Sequence, residues 1–123
     1  MKIYTTLIRT LLQRVHDLGY YFSFECDGEE FFPITNNVDK GVIEHLEVDE
    51  LYINIWRKNR KIQHLGWILW INWNYPNDEE CLSDYTCNLD DVHHIGISEL
   101  SSAWADKYDS LRKDSKDFVE VEL

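Results

Sequence analysis

The sequence predicts an α+β fold: an antiparallel sheet of about five strands, with an N-terminal helix, a short middle helix and a C-terminal helix packed on it. Three observations carry this. Apolar residues recur at helical spacing near the N-terminus and again beyond Ser98. Alternating, aromatic-rich stretches fill the middle of the chain. Every link between those stretches is short enough for an antiparallel pairing.

Each element has its own warrant. Thr5 or Thr6 can cap a first helix, and Leu7, Ile8, Leu11, Leu12, Val15 and Leu18 then fall on one face. Gly19 stands where a helix C-terminal glycine belongs. Residues 20–26 alternate, with Phe22, Phe24 and Cys26 on one side. Asp27-Gly28 is a two-residue hairpin signal, because the favoured turn needs positive φ at both central positions. Residues 29–35 return as the partner strand, and Pro33 marks it as an edge or irregular one. Asn36 or Asn37 can cap a short helix over about 38–47, where Val38, Val42, Ile43 and Leu46 have helical spacing and Gly41 weakens it. Residues 51–56 read as a strand and Arg57-Lys58-Asn59-Arg60-Lys61 as a polar turn. Residues 62–74 read as a long central strand, apolar on both faces. Tyr75-Pro76-Asn77-Asp78 is a turn, residues 81–87 form a further short strand, and Asn88-Leu89-Asp90-Asp91 breaks it. Ser98 caps the last helix, with Leu100, Ala103, Trp104 and Leu111 as its buried stripe. The chain has 123 residues, so one domain is expected over 1–123, with about 113–123 a loose tail or a late strand. The order of strands in the sheet does not follow from this.

Asp27-Gly28-Glu29-Glu30 at the hairpin, the acidic helix end with Glu47, Asp49 and Glu50, Leu65-Gly66-Trp67 opening a strand that closes near Asn74, and Ser83-Asp84-Tyr85-Thr86 together resemble motifs of a group of short proteins encoded by bacteriophages, prophages and plasmids. The similarity spans about 5–110. This chain departs from the group in its Trp-rich central strand and its His93-His94 pair. The resemblance implies a small accessory protein of a mobile element, of the kind that binds and disables host factors. It carries no activity and no site residue with it.

Charge is the main functional clue. Acids outnumber bases 23 to 12, for a net charge of -11. Nucleic acid and anionic membrane surfaces carry the same sign, so neither is expected as a direct partner. No apolar run approaches the roughly 20 residues of a membrane span, and no small-residue cleavage site follows an apolar stretch after Met-Lys-Ile-Tyr-Thr-Thr, so neither a span nor a signal peptide is expected. Three cysteines, an odd count, read as reduced residues of a cytoplasmic protein. Ten acids and one base, Lys40, lie between Asp17 and Glu50. Bases cluster instead at Arg57, Lys58, Arg60 and Lys61, and at Lys107, Arg112, Lys113 and Lys116. The expectation is an acidic body with a basic tip.

Two readings of the acids stand side by side. In one, carboxylates at turns and strand ends keep an aromatic-rich domain soluble. In the other, Glu25, Asp27, Glu29, Glu30, Glu47, Asp49, Glu50, Asp78, Glu79 and Glu80 form a face that binds a basic protein surface, in the manner of a nucleic-acid mimic. A second candidate surface is aromatic. Tyr52, Trp56, Trp70 and Tyr75 belong to neighbouring strands, and Trp and Tyr dominate interface hot spots, so self-association into a homodimer is an alternative.

Catalytic and metal signatures are weak. Cys81, Cys87, His93 and His94 are the only metal-capable cluster, but two cysteines six apart on a strand lie about 20 Å from each other. No metal ligand and no cofactor is expected. No nucleophile elbow or phosphate-cradling loop is present. Asp84-Tyr85 with His93 or His94 is the least poor acid–base grouping, and no catalytic residue is assigned.

Overall fold

The computed structural model describes residues 3–71 and 81–114. The side chains of residues 3–6 and 107–114 are outside that description.

Helix α1 (Ile3–Asp17) buries Leu7, Ile8, Leu11, Leu12 and Val15. It begins before Thr5 and Thr6, which therefore lie within it rather than capping it. Leu18 is 44% exposed, because the chain has already left the helix there. Gly19 N donates to His16 O at 2.9 Å and Tyr20 N to Val15 O at 3.0 Å. That pair of bonds satisfies the last carbonyls and turns the chain into the sheet.

Strands β1 (Tyr21–Cys26) and β2 (Glu29–Thr35) form the expected hairpin. Asp27 and Gly28 both have positive φ, 54° and 82°. The two-residue turn thus takes the conformation that matches the twist of its strands. Helix α2 (Val38–Glu44) is capped by Asn37, whose Oδ1 accepts from Lys40 N at 3.1 Å. Gly41 does not merely weaken this helix. A Cβ there would sit 2.7 Å from Phe22 Cε2 and 2.8 Å from Leu12 Cδ1, so glycine is what lets α2 approach α1 and the sheet. A 3₁₀ turn (His45–Glu47) follows. Ile43 and Leu46, expected to face inward, are 61% and 46% exposed.

Strands β3 (Glu50–Lys58), β4 (Ile62–Ile71) and β5 (Leu82–Tyr85) complete an antiparallel sheet in the order β2-β1-β3-β4-β5. Residues 88–91 break the strand by forming a short helix, α3 (Asn88–Asp91). Helix α4 (Ile97–Asp114) buries Ile97, Leu100 and Trp104 but exposes Ala103. Ser98 does not cap it. Asp90 does, with Oδ1 accepting from Ile97 N at 2.6 Å and Oδ2 from Ser98 N at 2.9 Å. The end of the long strand beyond Ile71, the turn at 75–78 and the tail beyond Asp114 lie outside the described residues.

One face of the sheet meets the helices. Phe22 and Phe24 of β1, Phe32 of β2, Leu51, Ile53 and Ile55 of β3, and Ile68 and Trp70 of β4 join the α1, α3 and α4 residues in one core. Burying that much aliphatic and aromatic surface is the main driving force for the fold. The pleat sends the alternate residues to the other face: Tyr21, Ser23 and Glu25; Tyr52, Asn54 and Trp56; His64, Trp67 and Leu69. Among the described residues, every side-chain hydrogen bond or ring contact of that second set is to another side chain of the same face. The two apolar sides of β4 are therefore a core face and, among the described residues, an open face that no helix covers. No helix among the described residues is long and apolar enough to cross a membrane.

Candidate functional site: an acidic sheet end beside an open face

Strand order decides where the acids go. Strands β1 and β3 are antiparallel neighbours, so the end of β1 lies beside the start of β3. Strand β2 starts across from the end of β1, with Glu25 opposite Glu30 and Cys26 opposite Glu29. Glu25, Asp27, Glu29, Glu30, Glu47, Asp49 and Glu50 therefore gather at one end of the sheet, from two segments about 20 residues apart in sequence. Five of them, Glu25, Asp27, Glu47, Asp49 and Glu50, line a cleft of about 480 Å³ together with Tyr52. All seven except Glu25, which is half-buried, are exposed. Among the described residues, ion pairs form elsewhere, between Arg9 and Asp39 and between Arg14 and Glu99, and none reaches this end. Asp78, Glu79 and Glu80, predicted for the same face, lie outside the described residues.

The local field reads on Cys26. Its thiol is held above the ordinary cysteine range, first by loss of solvent and then by the charges of Asp27 and Glu50. Glu25 opposite Glu30 is a like-charge cross-strand pair, an arrangement that weakens a sheet. The end is thus electronegative at some cost to stability.

The far end of the same strands is basic. Arg57 and Lys58 close β3, and Arg60 and Lys61 follow in the turn. Glu50 and Lys58 are eight residues apart on one strand, about 26 Å. That exceeds the roughly 8 Å screening length at physiological salt, so the two ends act independently. Two of the bases are engaged on rings. Arg57 Cζ lies 5.8 Å from the Tyr20 centroid, and Lys58 Nζ lies 4.8 Å from that of Tyr21.

The aromatic prediction divides. Tyr52 is 38% exposed and Trp56 half-buried, both on the open face. Trp70 is fully buried and belongs to the core, against His45, so it cannot serve an interface. The pairing of Leu51 with Trp70 and Tyr52 with Leu69 assigns the two to opposite faces. Tyr75 lies outside the described residues.

Sequence reasoning missed Ser23, Asn54 and His64. His64 Nε2 donates to Asn54 Oδ1 at 2.9 Å, Asn54 Nδ2 donates to Glu25 Oε1 at 3.0 Å, and Trp56 Nε1 donates to Ser23 Oγ at 2.9 Å. The signal was available in the alternation of β3, where Leu51, Ile53 and Ile55 are apolar and Tyr52, Asn54 and Trp56 carry polar groups.

The remaining groupings disperse. Cys81 is buried and Cys87 is exposed. His93 packs edge-on against Tyr20, with ring centroids 5.6 Å apart, and His94 is exposed. Asp84 accepts from the backbone of Tyr85, whose hydroxyl donates instead to Asp90 at 3.2 Å. Among the described residues no three His, Cys, Asp or Glu side chains gather in a way that could hold a metal ion. Asp90 is an internal acceptor for α4 and Tyr85. No protein-family model, no curated protein and no solved structure matches this chain.

Proposed function

We infer that the protein is a small cytoplasmic interaction protein of a mobile element, and that its acidic sheet end docks on a basic surface of a host protein. A nucleic-acid-binding protein is the partner class that fits best, since its working surface is built to receive rows of negative charge. One observation carries the reading: seven carboxylates from two separate segments converge at one end of the sheet, without an internal cation among the described residues. Charges arranged to repel within the fold, as Glu25 and Glu30 are, lower the free energy of a complex with a cation more than that of the free protein.

A second reading has its own observation. The open face exposes Tyr52 and half-exposes Trp56 and Trp67, which suits a symmetric pair of copies. The net charge of -11 on each copy opposes it.

The test is a tagged capture from nuclease-treated host lysate at low and high salt. The bait is compared with a variant carrying Gln or Asn at Glu29, Glu30, Glu47, Asp49 and Glu50. The reading expects one basic protein held in stoichiometric amount, released by salt and absent from the variant. Equal capture by the variant, or no capture by either, would overturn it.

A further inference from the structure

Just inside the acidic end, the open face holds a second cleft of about 400 Å³, lined by Glu25, Tyr52, Asn54, His64 and Trp67. Its floor is ordered. His64 Nε2 donates to Asn54 Oδ1, and Asn54 Nδ2 donates to Glu25 Oε1, so the bonds run in one direction and fix the Asn54 amide. Asn54 is only 8% exposed, which makes the network hard to rearrange. The Glu25 carboxylate is thereby held through one oxygen. Among the described residues no donor reaches the other.

The walls are aromatic. Tyr52 and Trp67 meet edge to face, with centroids 5.5 Å apart and planes at 85°, so one ring presents its π surface beside the other's edge. A held carboxylate next to aromatic faces recognises a cation. The same sheet face already contains such a contact at its basic end, where Lys58 lies over Tyr21. At the acidic end Tyr52 and Trp67 have no cation over them among the described residues. Between the two cationic side chains, a guanidinium fits better. It is planar, stacks on a ring while donating two parallel hydrogen bonds to a carboxylate, and sheds water more readily than an ammonium.

We propose that this cleft is the receptor for an arginine side chain of the basic protein that the acidic end binds. The inference rests on the acidic-end reading and names the side chain that anchors the contact. Glu25 belongs to both surfaces and joins them.

The test uses two hexapeptides, one alternating Gly and Arg and the other Gly and Lys. Each is titrated into ¹⁵N-labelled protein at low salt, following the Trp67 indole and the His64 ring. The Arg peptide should shift both and bind about fivefold more tightly than the Lys peptide. Tyr52→Ala and Glu25→Gln should bring that ratio to one; Tyr52 is exposed, and Gln keeps the oxygen that accepts from Asn54, so both variants retain the fold. Asp49→Asn should weaken the two peptides alike and preserve the ratio. Equal binding of both peptides to the wild type would overturn the arginine receptor and leave the acidic end standing. Binding of neither would overturn both. A Trp67 shift that follows protein concentration alone would assign the face to a second copy and would also overturn the receptor.

Discussion

His45 gives the structure a calculable weakness toward acid. It is fully buried in the 3₁₀ turn, edge-on to Trp70 with centroids 5.8 Å apart, and its Nδ1 donates to the Val42 carbonyl. Burial lowers its pKa from 6.5 to about 4, against the opposing pull of the Val42 carbonyl. Between those two values the unfolded chain carries a proton on this ring and the folded chain does not. Acidification therefore favours unfolding, and stability rises with pH up to about 6.5 and is level above it. At about 1.4 kcal/mol for each tenfold change in proton activity, the loss reaches about 3 kcal/mol by pH 4. Comparison with His45→Phe isolates this contribution from that of every other group. Phe lacks the donor to Val42 and starts lower, but that offset does not depend on pH. Urea unfolding of both proteins, followed by Trp fluorescence at several pH values from 7 to 4, should show the wild-type advantage shrinking by about 3 kcal/mol. A difference that stays constant over this range would refute the argument.

Three further outcomes follow from the geometry. Gly41→Ala should destabilise by about 1–3 kcal/mol in urea unfolding, the overlap with Phe22 and Leu12 outweighing the gain of up to about 1 kcal/mol in helix propensity; a more stable variant would contradict the close approach of α2. Asp90→Ala should cost about 1–2 kcal/mol through lost capping of α4, whereas Asp91→Ala, at an exposed neighbour, should fall within about 0.5 kcal/mol of the wild type by the same assay. Glu30→Lys should stabilise by about 0.2–1 kcal/mol, since it turns the repulsion across from Glu25 into attraction, and should at the same time weaken partner capture; weaker binding with lower stability would point to damage rather than to a lost contact.

Local signals sufficed where the deciding interactions are local. The apolar stripe of α1, the Asp27-Gly28 turn and the Asn37 cap each depend on neighbours within a few residues, and each stands where its residues suggest. Features that depend on contacts across the fold were not legible. Trp70 and Trp67 have equally apolar surroundings in β4, and only the pairing with β3 sends one inward and the other to the open face. Asp90 caps a helix that begins seven residues later, after the chain has turned back through α3, so Ser98 was the nearer candidate. The meeting of residues 25–30 with residues 47–50 needs the order β2-β1-β3, which the sequence leaves open. The Glu25–Asn54–His64 chain spans three strands and stayed hidden for the same reason.

The central claim is that the position of the charges matters, rather than their number. It is tested most directly by quantitative capture with three baits in parallel. One is the wild type, the second has Glu29, Glu30, Glu47, Asp49 and Glu50 neutralised, and the third has Asp17, Asp39, Asp91, Glu99 and Asp106 neutralised. The last two lose the same formal charge, but the third leaves the sheet end intact. The account predicts that the second bait loses its basic partner and the third retains it. Equal loss by both baits would reduce the acids to a general charge effect and contradict the site.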